Sequence, residues 1–355
     1  PMKRAVQVLL MVLLGGGAFY LVFREVVWDE FVAEIASVNW GIFSLGMVLF
    51  LGLHLSRSVR WGRLVQAMKP EVRFRSYFSI CSVGFFLINV LPFRLGEIAR
   101  PYLLLEREEV PFGSGAATVL VERVLDVAAL GLLFAGVLMW GLDDLRTVPV
   151  EVYGEPYDLL QLGRGLILAA LIPFGGGLVV LLVLGDRGVE LGRRIFGIAS
   201  TRLGDLFASF LGSFLHAVRA LGSRRAIAQQ AFWTAGSWGI NVCSMWVMAK
   251  AFPFGATMGF WDAATILVCI CIVLIIPPPP GFAGVFEGAI AIAVHQLYGE
   301  SMSTAAAFGV LVHIGQFGLI TGLGVLFLSI DDISIRRLLD GMAQIRGGAR
   351  SPPPE

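Results

Sequence analysis

Apolar runs recur along the chain at about 5–23, 41–56, 76–91, 115–140, 164–185, 227–249, 262–276, 282–297 and 304–329. A helix needs ~20 mostly apolar residues to cross the ~30 Å hydrocarbon core of a bilayer, and several of these runs reach that length. The pattern predicts an all-α integral membrane protein. Lys and Arg concentrate on the cytoplasmic side of such proteins, so each polar stretch can be given a side. Lys3 and Arg4 precede the first run, and the stretch after it is acidic, with Glu25, Asp29, Glu30 and Glu34 against Arg24. Arg57, Arg60, Arg63, Lys69, Arg73 and Arg75 follow the second run and place 57–75 inside. The 141–163 loop is acidic, so it falls outside. The 186–226 stretch, with Arg187, Arg193, Arg194 and Arg202 among its arginines, falls inside, as does the tail with Arg336, Arg337, Arg346 and Arg350.

These sides constrain how often the chain crosses. The runs 76–91 and 115–140 lie between an inside and an outside loop, so 76–91 cannot cross alone. With 95–105 it forms either a hairpin entering from the cytoplasm or a pair of short crossings, and the hairpin is the expected form. By the same parity, 262–276 and 282–297 start and finish outside. The expected fold is about six transmembrane helices plus two re-entrant helical hairpins, entering from opposite faces in an inverted repeat. Residues 1–335 form a polytopic membrane domain at the cell (inner) membrane, with both termini cytoplasmic. The run 5–23 reads as a retained first span rather than a signal peptide. Within 186–226, Leu203, Leu206, Phe207, Phe210, Leu211, Phe214 and Leu215 recur at helical spacing. That fits a cytoplasmic amphipathic segment on the inner leaflet or a helix packed on the bundle. Residues 336–355 are expected to be a cytoplasmic tail, partly disordered.

Composition agrees with a bilayer environment. Hydrophobic residues make up 57% and charged residues 15%, against ~25% charged in soluble domains. A net charge of +1 gives no reason to expect a nucleic-acid partner. Cys81, Cys243, Cys269 and Cys271 form no C-x-x-C pair, so neither a disulfide framework nor a zinc site is implied, and no cofactor or metal is expected. His54, His216, His295 and His313 are scattered and read as packing residues.

Two proline breaks carry the candidate chemistry. The first reads Asn89-Val-Leu-Pro92-Phe-Arg94-Leu-Gly96-Glu97-Ile-Ala-Arg100, the second Pro277-Pro-Pro-Pro280-Gly281-Phe-Ala-Gly284-Val-Phe-Glu287. Each has a proline, then a glycine, a glutamate and an apolar helix. Prolines cannot continue a helix, and irregular backbone at membrane depth survives only within protein or beside a watery cavity. A half-helix that starts after the break aims free N–H groups and a positive dipole end at that point, which suits an anion such as a lipid phosphate. Arg94 and Arg100 are placed to add phosphate contacts. Glu122, Arg123 and Asp126 open another apolar segment, and acids four apart share a helix face. Ionisable residues there are costly and point to function, or to a buried network that only holds helices in register. Arg57-Ser-Val-Arg60-Trp61, closing the second run, reads either as a boundary anchor or as a headgroup contact. Glu97 and Glu287 are also candidates for proton coupling.

Arg60-Trp61, Asn89–Arg100, Glu122–Asp126 and the stretch ending at Glu287, in that order from about residue 40 to 330, resemble the lysylphosphatidylglycerol synthase transmembrane, or flippase-like, family. The chain is thereby similar to the flippase half of multiple peptide resistance factors. The resemblance implies lipid handling: some relatives move aminoacylated phosphatidylglycerol between leaflets, and others accompany polyprenyl-phosphate sugar or hopanoid pathways. The second turn departs from the family's frequent Gly-Gly-Ile-Gly, reading Gly281-Phe-Ala-Gly284. Phe282 then narrows the site or alters lipid choice. No aminoacyl-transferase domain is expected after residue 330, so synthesis of lysyl-lipids is not expected of this chain.

The expected function is therefore lipid translocation, of an anionic or polyprenyl-phosphate-type lipid. The candidate substrate-binding residues are Arg60, Asn89, Arg94, Glu97, Arg100, Glu122, Arg123, Asp126, Gly281, Gly284 and Glu287. Two alternatives stand beside it. One is a membrane-embedded lipid-modifying enzyme, although the adjacent acid pairs Asp143-Asp144 and Asp331-Asp332 lack companions for a metal. The other is a non-transporting scaffold that docks a lipid synthase partner on 186–226.

Overall fold

The computed structural model describes residues 22–91, 96–141, 183–198, 200–220, 223–274 and 279–346, with the short pieces 15–17, 19–20, 149–152, 155–158, 176–177 and 180. After a short helix α1 (Trp28–Ser37), α2 runs over Trp40–Met68, α3 over Phe74–Val90, α4 over Gly96–Glu108 and α5 over Phe112–Gly136. One π-helical turn, Val137–Gly141, extends α5. Two amphipathic helices, α6 (Asp186–Gly197) and α7 (Thr201–Ala220), precede α8 (Arg224–Ala249), α9 (Phe260–Val273), α10 (Val285–Tyr298), α11 (Met302–Ile330) and α12 (Ile335–Arg346). A small antiparallel hairpin, Pro149–Val152 with Glu155–Asp158, lies in the 141–163 loop and is a minor departure from the all-helical expectation.

Side chains fix where several helices start. Asn39 Oδ1 accepts from the N–H groups of Gly41 and Ile42, both at 3.1 Å, and caps α2. Ser223 caps α8 through the Ala226 N–H, and Ser301 caps α11 through the Thr304 N–H. Each cap satisfies donors that the first turn leaves unpaired. The short α9 and α10 use acids instead: Asp262 accepts from the Gly259 N–H at 2.7 Å, and Glu287 from the Gly284 N–H at 2.9 Å.

Most apolar runs coincide with helices, but α2 overruns its expected end by three turns and carries Arg57, Arg60 and Arg63 within the helix. The 57–75 stretch is therefore not a loop from its start. Arg60 is satisfied inside the protein, so its charge does not mark a boundary. Of the tail, residues 347–355, where the disorder was expected, lie outside the described residues. Helix α12 packs on α4, with Leu338 and Met342 buried. The 186–226 segment folds as a helix pair: α6 and α7 pack on each other and α7 on α5. Most of the runs 5–23 and 164–185 lies outside the described residues.

By length and composition, α2, α5 with its π turn, and α11 are able to cross a membrane, whereas α3 and α9 are apolar but shorter. Large apolar side chains face outward on the long helices, among them Val48, Leu132 and Ile314. A long–short–short–long order occurs twice, as α2-α3-α4-α5 and α8-α9-α10-α11, and the packing partners match between the two. Within each set consecutive helices pack together; across the sets, α3 lies on α11 and α9 on α5. The first helices of the two sets, α2 and α8, pack antiparallel. Asn39 donates its N–H to Ala251 O, Ser244 bonds Gly46 O, and Ser56 bonds Ser237. Gly46 lets the Met248 side chain come close at this seam. One hydrophobic core surrounds α3 and α4, another α9 and α10. Phe50, Leu53 and Ile320 form a small third cluster.

Candidate functional site

The charged residues expected to share a site divide into two groups. Five of them, with Glu97, form a buried network where α2, α4 and α5 meet. Arg60 grips Asp126 with both terminal nitrogens, Nη1 to Oδ1 at 2.7 Å and Nη2 to Oδ2 at 3.2 Å, and Nη2 also donates to Glu122 Oε1 at 3.2 Å. Arg100 donates to the other Glu122 oxygen at 2.7 Å. Arg123 pairs with Asp126 at 3.2 Å and stands 3.8 Å from Glu97. Arg60, Arg100 and Glu122 are each at most 1% exposed. Arg100 threads past Gly84, where a side chain would collide with it, and its guanidinium lies 5.2 Å from the Trp61 ring. Three cations face three carboxylates, so the network is neutral. The charges balance, but Arg60 Nε, Arg100 Nε and Nη2, and Arg123 Nε are buried without a hydrogen-bond partner among the described residues, so part of the desolvation cost is left standing. Arg60 is thus neither a boundary anchor nor open to a headgroup. Trp61 is buried too, with its Nε1 on Thr118 at 2.9 Å.

One turn before Arg60, Arg57 faces a different environment. It lines a cavity of about 130 Å³ between the C-terminal end of α3 and the break before α10. Among the described residues no ion pair or hydrogen bond holds its guanidinium, which lies 5.9 Å from the Phe85 ring; Asp126 of the network acts on it through its charge without direct contact. Asn89, His54, His313 and Gln316 supply the other polar wall. Phe85, Phe282, Phe286 and Phe317 supply aromatic faces. The volume is well under the ~300 Å³ at which drug-sized pockets begin, and suits a small polar group rather than a whole lipid. An arginine with no ion pair of its own, beside the Phe85 ring, has donors left to offer an anionic group.

The second break forms the cavity's edge. Gly281 and Gly284 both have positive φ, 73° and 79°. At Gly284 any side chain would also strike the Gly15 backbone. Phe282 takes φ 57°, a conformation that non-glycine residues adopt at a cost of ~1 kcal/mol or more. It does so with its ring on the cavity wall. Glu287 is buried at the start of α10, and its Oε1 lies 2.7 Å from His313 Nδ1. Of the sequence candidates, then, Asn89 lines the cavity and Glu287 stands behind it. Arg60, Glu97, Arg100, Glu122, Arg123 and Asp126 belong to the network. Arg94 lies outside the described residues. Arg57 and His313 were read as an anchor and a packing residue. The spacing carried one usable signal: Glu97 to Arg123 and Glu287 to His313 have the same separation, 26 residues. A further cluster sits at the far end of α11, where Asp331 binds Arg75 and Arg107, both at 2.7 Å, and the Ser79 hydroxyl. Among the described residues, no group of three or more His, Cys, Asp or Glu is arranged to hold a metal ion.

The family described as the lysylphosphatidylglycerol synthase TM region matches residues 8–324. Among curated proteins, the chain is similar to the glycosyltransferase AglD of Haloferax volcanii, 23% identical over 348 residues, covering 90% of this chain and 53% of that protein. It is also similar to the UPF0104 membrane protein MJ1595 of Methanocaldococcus jannaschii, 30% identical over 102 residues, covering 28% of this chain and 30% of that protein. The matched regions thus span about half or less of these relatives' own lengths. No solved structure matches the chain. The family match and the long apolar helices together make this a multi-pass membrane protein.

Proposed function

This chain belongs to the lysylphosphatidylglycerol synthase TM-region family, and from that premise we propose that it moves an anionic or polyprenyl-phosphate-type lipid between membrane leaflets. The observation that carries this reading is Arg57: a cation without an anion partner among the described residues, in an aromatic-walled cavity beside the second helix break. The headgroup sits against Arg57 and Asn89, near the positive N-terminal end of α10, while the acyl chains stay in the bilayer. The ion network does not touch the lipid. Arg60, Arg100 and Glu122 hold α2, α4 and α5 in register.

The accompanying topology is an inverted repeat. α3-α4 and α9-α10 are re-entrant hairpins entering from opposite faces, among about six full spans, with both chain ends in the cytoplasm and the protein in the inner membrane. Three features support it: the short helices in matching positions, the reciprocal packing of α3 on α11 and α9 on α5, and the antiparallel α2–α8 seam. Broken helices at the interface of such repeats are a common way to build a transport site. Alternating exposure follows from one half rocking against the other along the seam.

Leaflet exchange of fluorescent phosphatidylglycerol in proteoliposomes tests the reading, with fluorescent phosphatidylcholine as the zwitterionic control. Wild type is expected to exchange the anionic lipid above empty vesicles. Arg57→Ala, which removes a charge-assisted contact worth ~1.5–3 kcal/mol, is expected to slow it by about tenfold or more. Equal rates in wild type, variant and empty vesicles would sink the proposal.

The similarity to a protein named a glycosyltransferase favours one second reading, a membrane-embedded enzyme that acts on a lipid carrier. Sugar transfer to a polyprenyl phosphate by the purified chain, without leaflet exchange, would favour it. A lipid synthase docking on α6 and α7 is compatible with either.

A further inference from the structure

The two halves carry a matched pair of side chains that differ in one member. In each, the first-turn acid of the helix after the break meets a basic residue 26 positions on: Glu97 with Arg123, Glu287 with His313. The first base is permanently charged. The second is a histidine, whose charge changes within the physiological range.

With Glu287 ionised, the contact fixes which nitrogen of His313 is available. A carboxylate only accepts, so Nδ1–H donates to Glu287 Oε1 at 2.7 Å. The other Glu287 oxygen accepts from the Gly284 N–H at 2.9 Å, so the carboxylate is held at both ends. Nε2 is buried and has no hydrogen-bond partner among the described residues. In the neutral ring it carries a lone pair and is the atom that takes a proton.

The ring lines the same cavity as Arg57. The groups around it can be named element by element. Helix α10 brings Glu287. Helix α2 brings Arg57 and His54, and the latter's Nε2 is bound to Ser82 at 2.9 Å. Helix α3 brings Asn89 and no ionisable group to the wall, and α11 itself brings Gln316. Helix α1 meets α11 more than two turns away, through Glu34 and Thr304. Asp126, whose charge also reaches Arg57, is already balanced by Arg60 and Arg123 in the network, so with His313 neutral the charges of Arg57 and Glu287 cancel. A proton on Nε2 leaves one positive charge unbalanced, and one anion restores neutrality. Unbalanced charge at membrane depth is expensive, so proton and anion each favour the other's binding.

We propose that His313 is a proton-binding site coupled to the anion site: the cavity takes up one proton, on Nε2, with each anionic headgroup. The N–H bond forms at the expense of hydronium or water, and no other covalent bond changes. The proposal rests on the reading of the cavity as an anionic-lipid site.

Calorimetric titration of the detergent-solubilised full chain with dihexanoyl-phosphatidylglycerol tests it, repeated in two buffers of different ionisation enthalpy. A phosphodiester does not itself titrate near neutrality, so any proton taken up belongs to the protein. Wild type at pH 8 is expected to take up close to one proton per lipid bound, with affinity that falls as pH rises. His313→Arg copies the other half's pair and is expected to bind with pH-independent affinity and no proton uptake. His313→Gln keeps a donor for Glu287 and is expected to bind about tenfold or more weakly at pH 6, again without uptake, so the result does not depend on one variant folding. Binding by wild type without proton uptake, or uptake that persists in both variants, overturns the coupling and leaves the anion site standing. No binding by wild type overturns both.

Discussion

Arg57 and Arg60 stand one helical turn apart on α2, and each is governed by what surrounds it rather than by its neighbour in the chain. Arg60 finds Asp126 and Glu122 more than sixty positions away and is closed off by them. Arg57 turns to an aromatic wall. No local pattern separates the two, because the acids that neutralise one of them arrive from α5. The sequence does show that Glu122 and Asp126 share a helix face, and the structure uses that face. It also shows both glutamates after the breaks. It does not show that His313 completes Glu287, since the histidine comes from a different helix. Glu122 is the acid common to Arg60 and Arg100; its loss leaves Arg60 with Asp126 alone and strands the Arg100 guanidinium without a carboxylate. Glu122→Gln is expected to cost about 3–5 kcal/mol, the range for breaking a buried ion pair from one side. Thermal unfolding followed by size-exclusion chromatography in detergent checks this; a variant as stable as wild type would mean that the network is not holding the helices.

Among the elements, the hydrophobic runs located α3, α4, α5, α8, α9, α10 and α11 to within a few residues, because apolar length and proline breaks are local properties. The end of α2 was misplaced because three arginines lower its hydropathy, whereas their helix continues through them. α12 was taken for tail because its polar face dominates its composition, yet Leu338 and Met342 bury a stripe against α4. The α3–α4 pair depends on a contact that hydropathy does not register. Gly96 lies so close to α3 that a Cβ there would collide with the Gly84 carbonyl and the Ile88 nitrogen. Gly96→Ala is therefore expected to destabilise the protein by about 1–3 kcal/mol, as overpacking does. It should also loosen Arg100, which crosses the same point. Unfolding midpoints in detergent measure the first effect; an unchanged midpoint would mean that the two helices separate freely.

At the scale of the molecule, the halves are fastened to each other at opposite ends by different chemistry. Asp331, just past the end of α11, clasps Arg75 of α3 and Arg107 of α4. In the other half, Trp261 at the start of α9 stacks on Trp140 at the end of α5, with ring centroids 5.4 Å apart. The Asp331 carboxyl is held below its ordinary pKa: burial opposes the charge, but the Ser79 hydroxyl and the Arg107 and Arg75 guanidiniums outweigh it. A depressed carboxyl contributes stability above its ordinary titration range near pH ~4 and loses it as pH falls through the folded value. Asp331→Asn is expected to lower stability by about 1–2 kcal/mol at pH 7, and the gap to wild type should close under strong acid. Melting temperatures across that range check it; a gap independent of pH would assign the effect to packing alone.

The neutrality of the buried network has one more consequence. A membrane at 100 mV pulls on each unbalanced elementary charge that crosses it with about 2.3 kcal/mol. Arg60, Arg100 and Arg123 are matched by Glu97, Glu122 and Asp126, so the voltage exerts no net force on the cluster as a body. By this balance the cluster that positions α2, α4 and α5 carries no net charge for the voltage to move.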